Sequence, residues 1–426
     1  MIVKGTRVKK SNYLLYLLLV TFISISFGRF SSIIIGVQGK NLFISISQIL
    51  LTILFFLFII KSLMYKNKLK IILFPLLPYI VFGLYTLLIG LGAIDVLRAV
   101  GYAINPITGV IFAFLVLNIL RKQGDIKYIL ERIDIIGVII SIFVVFVFLY
   151  NLDVTILKNA LNFRSGAGAS LHWINMLKNK VSIPLGRSNY IASFLLFLIM
   201  YNVTVIPKFK KRSNLLLLIY LGALLCTLSR GGLFALILTI IFMLSFFSIR
   251  KNKRLRVFSF VILGLASILI LLIGFSFFYN YFFVGNSVQV RLTLIKYGIE
   301  AFTDHPLFGI GLGNFSFENL EIHNITVLLL AETGIIGFIL YGLLYIYTFF
   351  NLSTIRKYFI LNKEEQSYWA GISFGLIAMI IHAQFEIVML SFYYELFFGF
   401  IFGLILAEKH ILYKTCKEKM KGENIQ

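Results

Sequence analysis

Hydrophobicity along this chain comes in blocks. Apolar runs cover residues of about 13–28, 44–60, 71–90, 99–120, 133–150, 189–206, 214–229, 231–249, 257–277, 325–351, 369–387 and 390–407, and short polar connections separate most of them. Wound as a helix, roughly 20 apolar residues span the ~30 Å hydrocarbon core of a bilayer, where a backbone must satisfy its own hydrogen bonds. The pattern therefore predicts an all-α fold, a polytopic membrane bundle of about 12 transmembrane helices. Composition agrees, with 60% hydrophobic and 13% charged residues against about 45–50% and about 25% in soluble domains. The same balance excludes disorder. One bundle can use all 426 residues, so 1–426 reads as a single integral-membrane domain.

A net charge of +23 would suit a nucleic-acid binder, but the 40 lysines and arginines sit in short clusters between apolar runs. No aromatic-interleaved basic surface of the kind that binds nucleic acid accompanies them. They report topology instead, because cationic connections stay on the cytoplasmic side. With the N-terminus inside, 29 of the 40 lie in cytoplasmic connections and 11 outside, and both termini are cytoplasmic. The basic start (Lys4, Arg7, Lys9, Lys10) has no small-residue cleavage pattern, which makes the first run a retained anchor. The outer 11 include six arginines: Arg29, Arg98, Arg164, Arg187, Arg230 and Arg291. Any cation sets topology, whereas a planar guanidinium fork also suits phosphate or carboxylate, so the outer face points to an anionic ligand. Cys226 and Cys416 form neither a disulfide framework nor a metal-ligand spacing.

Two outer loops are long, 151–188 and 278–324, and long loops in compact folds usually carry function. The motifs gather around them. Ser229-Arg230-Gly231-Gly232 follows an apolar run, Asn214–Leu228, of about 22 Å at helical rise, shorter than the hydrocarbon core. Arg230 is therefore expected below the outer surface, where an ionisable side chain is a functional candidate; snorkelling to headgroups is the structural alternative. At the mouth of the sixth run, Gly186-Arg187-Ser188-Asn189 offers the Arg187 and Asn189 donors beside a helix start, a place that favours anions or simply needs a cap. In the second loop Arg291, Ile295, Ile299 and Phe302 recur at helical spacing. They predict a short amphipathic helix on the membrane surface, ending near Asp304-His305-Pro306 and followed by a tight turn at Gly309, Gly311 and Gly313. That G-x-G-x-G is no nucleotide loop, since no strand–helix unit surrounds it.

His323 and Asn324 stand at the outer start of the tenth run. An imidazole is the side chain best suited to take a proton near neutral pH, so His323 could activate a hydroxyl nucleophile; an interfacial cap is the alternative. Glu332 lies nine residues on, about 13.5 Å deeper and on the opposite helix face, which suits an interhelical polar network better than contact with His323. His382 and Glu386 are four apart near the outer end of the eleventh run and are expected to share a helix face and pair. His305, before Pro306, reads as structural.

Taken together, SRGG opening one helix, then R…DHPLFGIGLGNF…HN…L…AETGIIG, resembles the O-antigen ligase and O-antigen polymerase superfamily of bacterial membrane glycosyltransferases over roughly residues 184–340. The resemblance implies a metal-independent, cofactor-free, inverting transferase in the bacterial cytoplasmic membrane. It would move a glycan from a polyprenyl-pyrophosphate carrier to an acceptor hydroxyl on the outer face. The implied roles put Arg187, Arg230 and Arg291 on the pyrophosphate and His323 on the acceptor, with Asn189, Asn324, Glu332, His382 and Glu386 in support. Tyr297 stands where the family often carries tryptophan. Asp304, Glu318 and Glu321 are scattered through one loop rather than grouped as a divalent-cation site.

The partners expected are a polyprenyl-pyrophosphate-linked oligosaccharide, membrane lipid and other polysaccharide-assembly proteins, and no nucleic acid. Polymerisation of capsular or other surface polysaccharide repeat units is the first reading, and an O-antigen-type ligase the second. A transporter or flippase of a lipid-linked glycan is the alternative from another class. Against it, the recessed polar residues crowd the outer end rather than the midplane, and paired broken helices are missing.

Overall fold

The computed structural model describes residues 13–27, 33–37, 40–64, 71–151, 181–183, 186–205, 210–251, 286–315, 322–358 and 363–423. Its helices are α1 (Tyr13–Ser24), α2 (Ile46–Met64), α3 (Leu77–Leu91), α4 (Val96–Ile119), α5 (Gln123–Leu130), α6 (Ile133–Asn151), α7 (Ser188–Val205), α8 (Lys210–Cys226), α9 (Arg230–Lys251), α10 (Asn286–Asp304), α11 (Ile325–Tyr358), α12 (Lys363–Ala383) and α13 (Phe392–Glu423). A helix covers every apolar run except 257–277, which lies outside the described residues, as does most of the loop 151–188. Among the described residues, six helical stretches are long and apolar enough to cross a membrane: Ile46–Met64, Phe74–Leu91, Val96–Ile119, Gln123–Asn151, Ile325–Tyr358 and Phe392–Glu418. Shorter apolar helices, Tyr13–Phe27, Ser188–Thr204, Asn214–Cys226 and Arg230–Ser245, fill in around them.

Local chemistry sets several helix starts. Ser45 and Gln48 form a reciprocal capping box at α2, with Ser45 N–H donating to Gln48 Oε1 at 2.8 Å and Gln48 N–H to Ser45 Oγ at 3.2 Å. Asp95 caps α4 by accepting from Arg98 N–H at 3.0 Å. The described residues also contain β-structure. An antiparallel hairpin pairs β1 (Ile33–Val37) with β2 (Lys40–Ile44), and a smaller one pairs β3 (Ser182–Ile183) with β4 (Gly186–Arg187). The β1 segment, Ile-Ile-Ile-Gly-Val, has strong strand propensity, and it lies in a connection too short for another span.

Packing is closest where side chains are smallest. A Cβ on Gly399 of α13 would collide with the Gly109 carbonyl oxygen of α4, and one on Gly403 would lie 2.6 Å from the Ala113 oxygen. Without such residues two helices of a bilayer bundle cannot approach backbone to backbone. Aromatic rings fill the flanks: Phe22 stacks on Phe400 at 3.8 Å between centroids, and Phe397 meets Phe194 and Phe197 edge-on at 5.0 and 4.9 Å. Some buried polar groups find partners within this core. Asn118 donates to the carbonyls of Ile72 and Phe114, and the Tyr79 hydroxyl bonds the Glu395 carboxylate.

The connections assigned to the outer face by charge also meet one another. Asp95 N–H donates to Asn314 Oδ1 at 2.9 Å, Ser229 Oγ to Asn189 Oδ1 at 3.0 Å, and Asn105 Nδ2 to Leu390 O at 3.0 Å. The candidate site is built at this end.

Candidate functional site

The second long loop is held by a break in α11. Gly334 has φ 64° and ψ −173°, so α11 consists of two helical pieces, and the joint leaves backbone groups for the loop to use. Ile310 N–H donates to Ala331 O at 3.0 Å, Gly311 N–H to Glu332 O at 2.9 Å, and Ile335 N–H to Pro306 O at 2.9 Å. The turn follows Gly309, Gly311 and Gly313 at φ 68°, 94° and 77°, as their spacing predicts. A side chain at Gly309 would strike the Glu332 backbone, and one at Gly334 the Leu307 carbonyl. The buried Glu332 carboxylate accepts from Phe315 N–H at 3.2 Å, and this bond ties the loop, rather than another helix, to α11.

Before this turn lies α10, which ends at Asp304 where the sequence predicts. Its buried face differs from the expected one: Leu294 and Gly298 are buried, whereas Ile299 is 50% exposed. Gly298 is the reason. A Cβ there would lie 2.5 Å from Ile322 and 2.7 Å from Val327, so the missing side chain lets α10 press against the start of α11 on both sides of His323.

Three elements then converge on one carboxylate. Arg291 Nη2 of α10 donates to Glu386 Oε1 at 2.6 Å, while its Nη1 donates to Phe385 O at 3.2 Å. His323 Nδ1 lies 3.0 Å from Glu386 Oε2. The Glu386 side chain is 7% exposed, Arg291 38% and His323 35%, so the charge is buried while its two partners face outward. Burial pushes the Glu386 carboxyl up, but the hydrogen bond with His323 and the Arg291 charge outweigh it and hold the group below the usual carboxylate range. An ionised Glu386 accepts from Nδ1–H, which leaves the His323 Nε2 lone pair for a proton. Asn324 fixes the same corner. Its Oδ1 caps Val327 N–H at 2.9 Å, and its Nδ2 donates to Gln384 O at 3.0 Å.

A second polar group abuts the first. Beyond α8, Leu228 takes φ 52°, and the turn delivers Ser229 as the cap of α9, its Oγ accepting from Gly232 N–H at 3.2 Å. The same hydroxyl donates to Asn189 on the first turn of α7, so the SRGG and GRSN motifs are joined. A Cβ on Gly231 would lie 3.2 Å from Phe385 Cβ and 3.6 Å from His382 Cδ2, and Phe234 packs edge-on against Phe385 at 5.2 Å.

Of the residues the sequence singles out, Arg291, His323 and Glu386 are in direct contact. Asn324 adjoins them, and Arg230 begins the helix that packs on the 382–386 segment. Arg187 is exposed on β4, beside the Ser188–Asn189 start of α7. The expected His382–Glu386 helical pair is corrected. Helix α12 ends at Ala383 and turns, Phe385 N–H bonding His382 O, so Glu386 points to Arg291 and His323 and not back along a helix to His382. The Ser229, Gln384 and Phe385 contributions were missed. Ser229 had a signal, because serine three residues before Gly232 is an N-cap pattern, whereas Phe385 acts through a backbone carbonyl that any residue carries; Gln384 uses both its carbonyl and its Oε1, which accepts from Thr326 at 2.9 Å.

These features define a multi-helix membrane protein whose connections at one end assemble a buried, hydrogen-bonded ionic site. Residues 215–342 match the family model described as O-antigen ligase, which supports the ligase and polymerase superfamily that the motifs resemble. The matched segment carries Arg230, Arg291, His323, Asn324 and Glu332; Arg187, Asn189, His382 and Glu386 lie outside it. Among curated proteins none matches the chain.

Proposed function

We propose that the protein is a glycosyltransferase of the outer membrane face, and that it joins lipid-linked repeat units into a capsular or other surface polysaccharide. The observation that carries the reading is the chain of contacts Arg291–Glu386–His323, in which a buried carboxylate orients an imidazole whose far nitrogen is left basic. This is the pattern of a base set by a third group. In the proposed step the acceptor hydroxyl gives its proton to His323 Nε2 as its oxygen bonds the anomeric carbon. The bond from that carbon to the diphosphate oxygen breaks, and its electron pair leaves with the diphosphate. Attack from the face opposite the leaving group inverts the centre. The departing charge falls to Arg187, Arg230 and the donors of Arg291 that Glu386 and Phe385 leave unused, since fixed positive charge stabilises a leaving diphosphate.

The ordered contacts favour an enzyme over a transporter, because a translocation path needs no oriented base. The test supplies purified full-length protein with a pyrophosphate-linked repeat unit in the presence of a chelator. A ladder of longer glycans supports the polymerase, a single transfer to a different acceptor supports the ligase, and movement across the bilayer without a new glycosidic bond rejects both. His323→Ala should lower turnover by roughly 10²–10⁴-fold, the usual worth of a positioned base, while the protein still folds.

A further inference from the structure

We infer that His382 and the first turn of α9 form a phosphoryl subsite, in which the imidazole donates to an oxygen of the leaving diphosphate held at the helix start. The inference rests on the carrier chemistry proposed above and adds a positioning residue to it. His382 is 0% exposed, and neither ring nitrogen has a hydrogen-bond partner among the described residues. A buried polar group in that state is costly and calls for a partner. The ring edge that carries Nε2 faces Gly231: a Cβ there would lie 3.6 Å from Cδ2 and 3.7 Å from Nε2. Nothing larger than hydrogen separates the imidazole from the helix start.

That start belongs to a 22-residue helix whose first-turn N–H groups have no intrahelical acceptor. Ser229 Oγ takes the Gly232 N–H and thereby fixes the turn, while the helix dipole favours an anion at this end. Glu386 belongs to the same segment as His382, but its two oxygens are engaged by Arg291 and His323. A phosphoryl oxygen brought to Gly231 would meet backbone donors on one side and the His382 N–H on the other. Its sister oxygens would face Arg230, the first residue of the helix.

The experiment titrates inorganic pyrophosphate into the full-length protein, labelled with ¹⁵N-histidine in lipid nanodiscs. The expected result is a saturable shift of the His382 Nε2 resonance. His382→Phe, which fills the space without unpartnered nitrogens, should keep or raise the melting temperature. It should also raise the pyrophosphate Kd at least tenfold, about 1.4 kcal/mol. His382→Gln, which restores a donor, should recover part of that affinity. A merely structural histidine would move stability and affinity together. Wild-type affinity in His382→Phe overturns the subsite, as does an unmoved Nε2 resonance while pyrophosphate binds the wild-type protein. Either result leaves the transferase reading intact, and failure of the wild-type protein to transfer glycan overturns that reading instead. Should His382→Phe not fold, the wild-type resonance alone decides.

Discussion

At the scale of single residues, Glu386 is the hinge of the proposed chemistry, since it touches both the guanidinium and the imidazole. Glu386→Gln keeps the shape but offers an N–H where a carboxylate oxygen accepted, so His323 loses the charge that sets its tautomer. Turnover should fall at least tenfold with little change in carrier KM, read by product formation at saturating and limiting carrier. A pH dependence follows from the lowered pKa of the same group. A carboxylate held below its unfolded value of about 4.3 contributes stability that is present above that pH and is lost as pH falls through the folded value. The melting-temperature advantage of wild type over Glu386→Gln that comes from this carboxylate should therefore be present above the unfolded value and disappear as the solution is made more acid. Arg291 and His323 were legible because their residue types announce the chemistry. Glu386 was legible only as a polar residue, because the i,i+4 rule linking it to His382 presumes a helix that stops at Ala383.

At the scale of elements, the loop and the broken helix specify each other. Gly334→Ala would force a Cβ onto the Leu307 carbonyl at a positive φ, a conformation that costs roughly 1–3 kcal/mol before any collision. The expected outcome is a lowered melting temperature with loss of transfer, and faster proteolysis between residues 305 and 315 than in wild type. Unchanged proteolysis would mean that the loop does not depend on the joint. Apolar periodicity gave α11 as one run, since glycine inside Ala-Glu-Thr-Gly-Ile-Ile leaves hydropathy intact while altering the backbone. Hairpin β1–β2 escaped for the opposite reason: a five-residue strand is too short to stand out between two apolar runs.

At the scale of the whole molecule, charge and contact give the same division into two ends. Asp95 pairs with Asn314, Ser229 with Asn189 and Asn324 with Gln384 in the connections that charge assigns to one end, whereas Gln123 lies within 3.5 Å of Glu365 and of Glu408 at the other. In a bilayer the first end should face outward. A cysteine placed at the exposed Phe308, in a chain otherwise free of cysteine, should react with a membrane-impermeant maleimide on intact cells. In a second variant that keeps Cys416 as its single cysteine, that thiol should react only after permeabilisation. The reverse pattern would turn the bundle over and put the proposed carrier site on the wrong side. The apolar runs were readable as hydropathy, but which ends associate depends on hydrogen bonds between connections that sequence order keeps far apart.

The glycine joint in α11 also has a mechanical consequence. His323 immediately precedes a short stub, Ile325 to Thr333, and not the long rod that continues from Ile335 to Tyr358. Thickening or tilting of the surrounding lipid loads the rod first, and the joint can take up that strain before it reaches the imidazole. On the proposed reading, this keeps the His323 imidazole in register with a lipid-borne substrate while the rest of the helix follows the membrane.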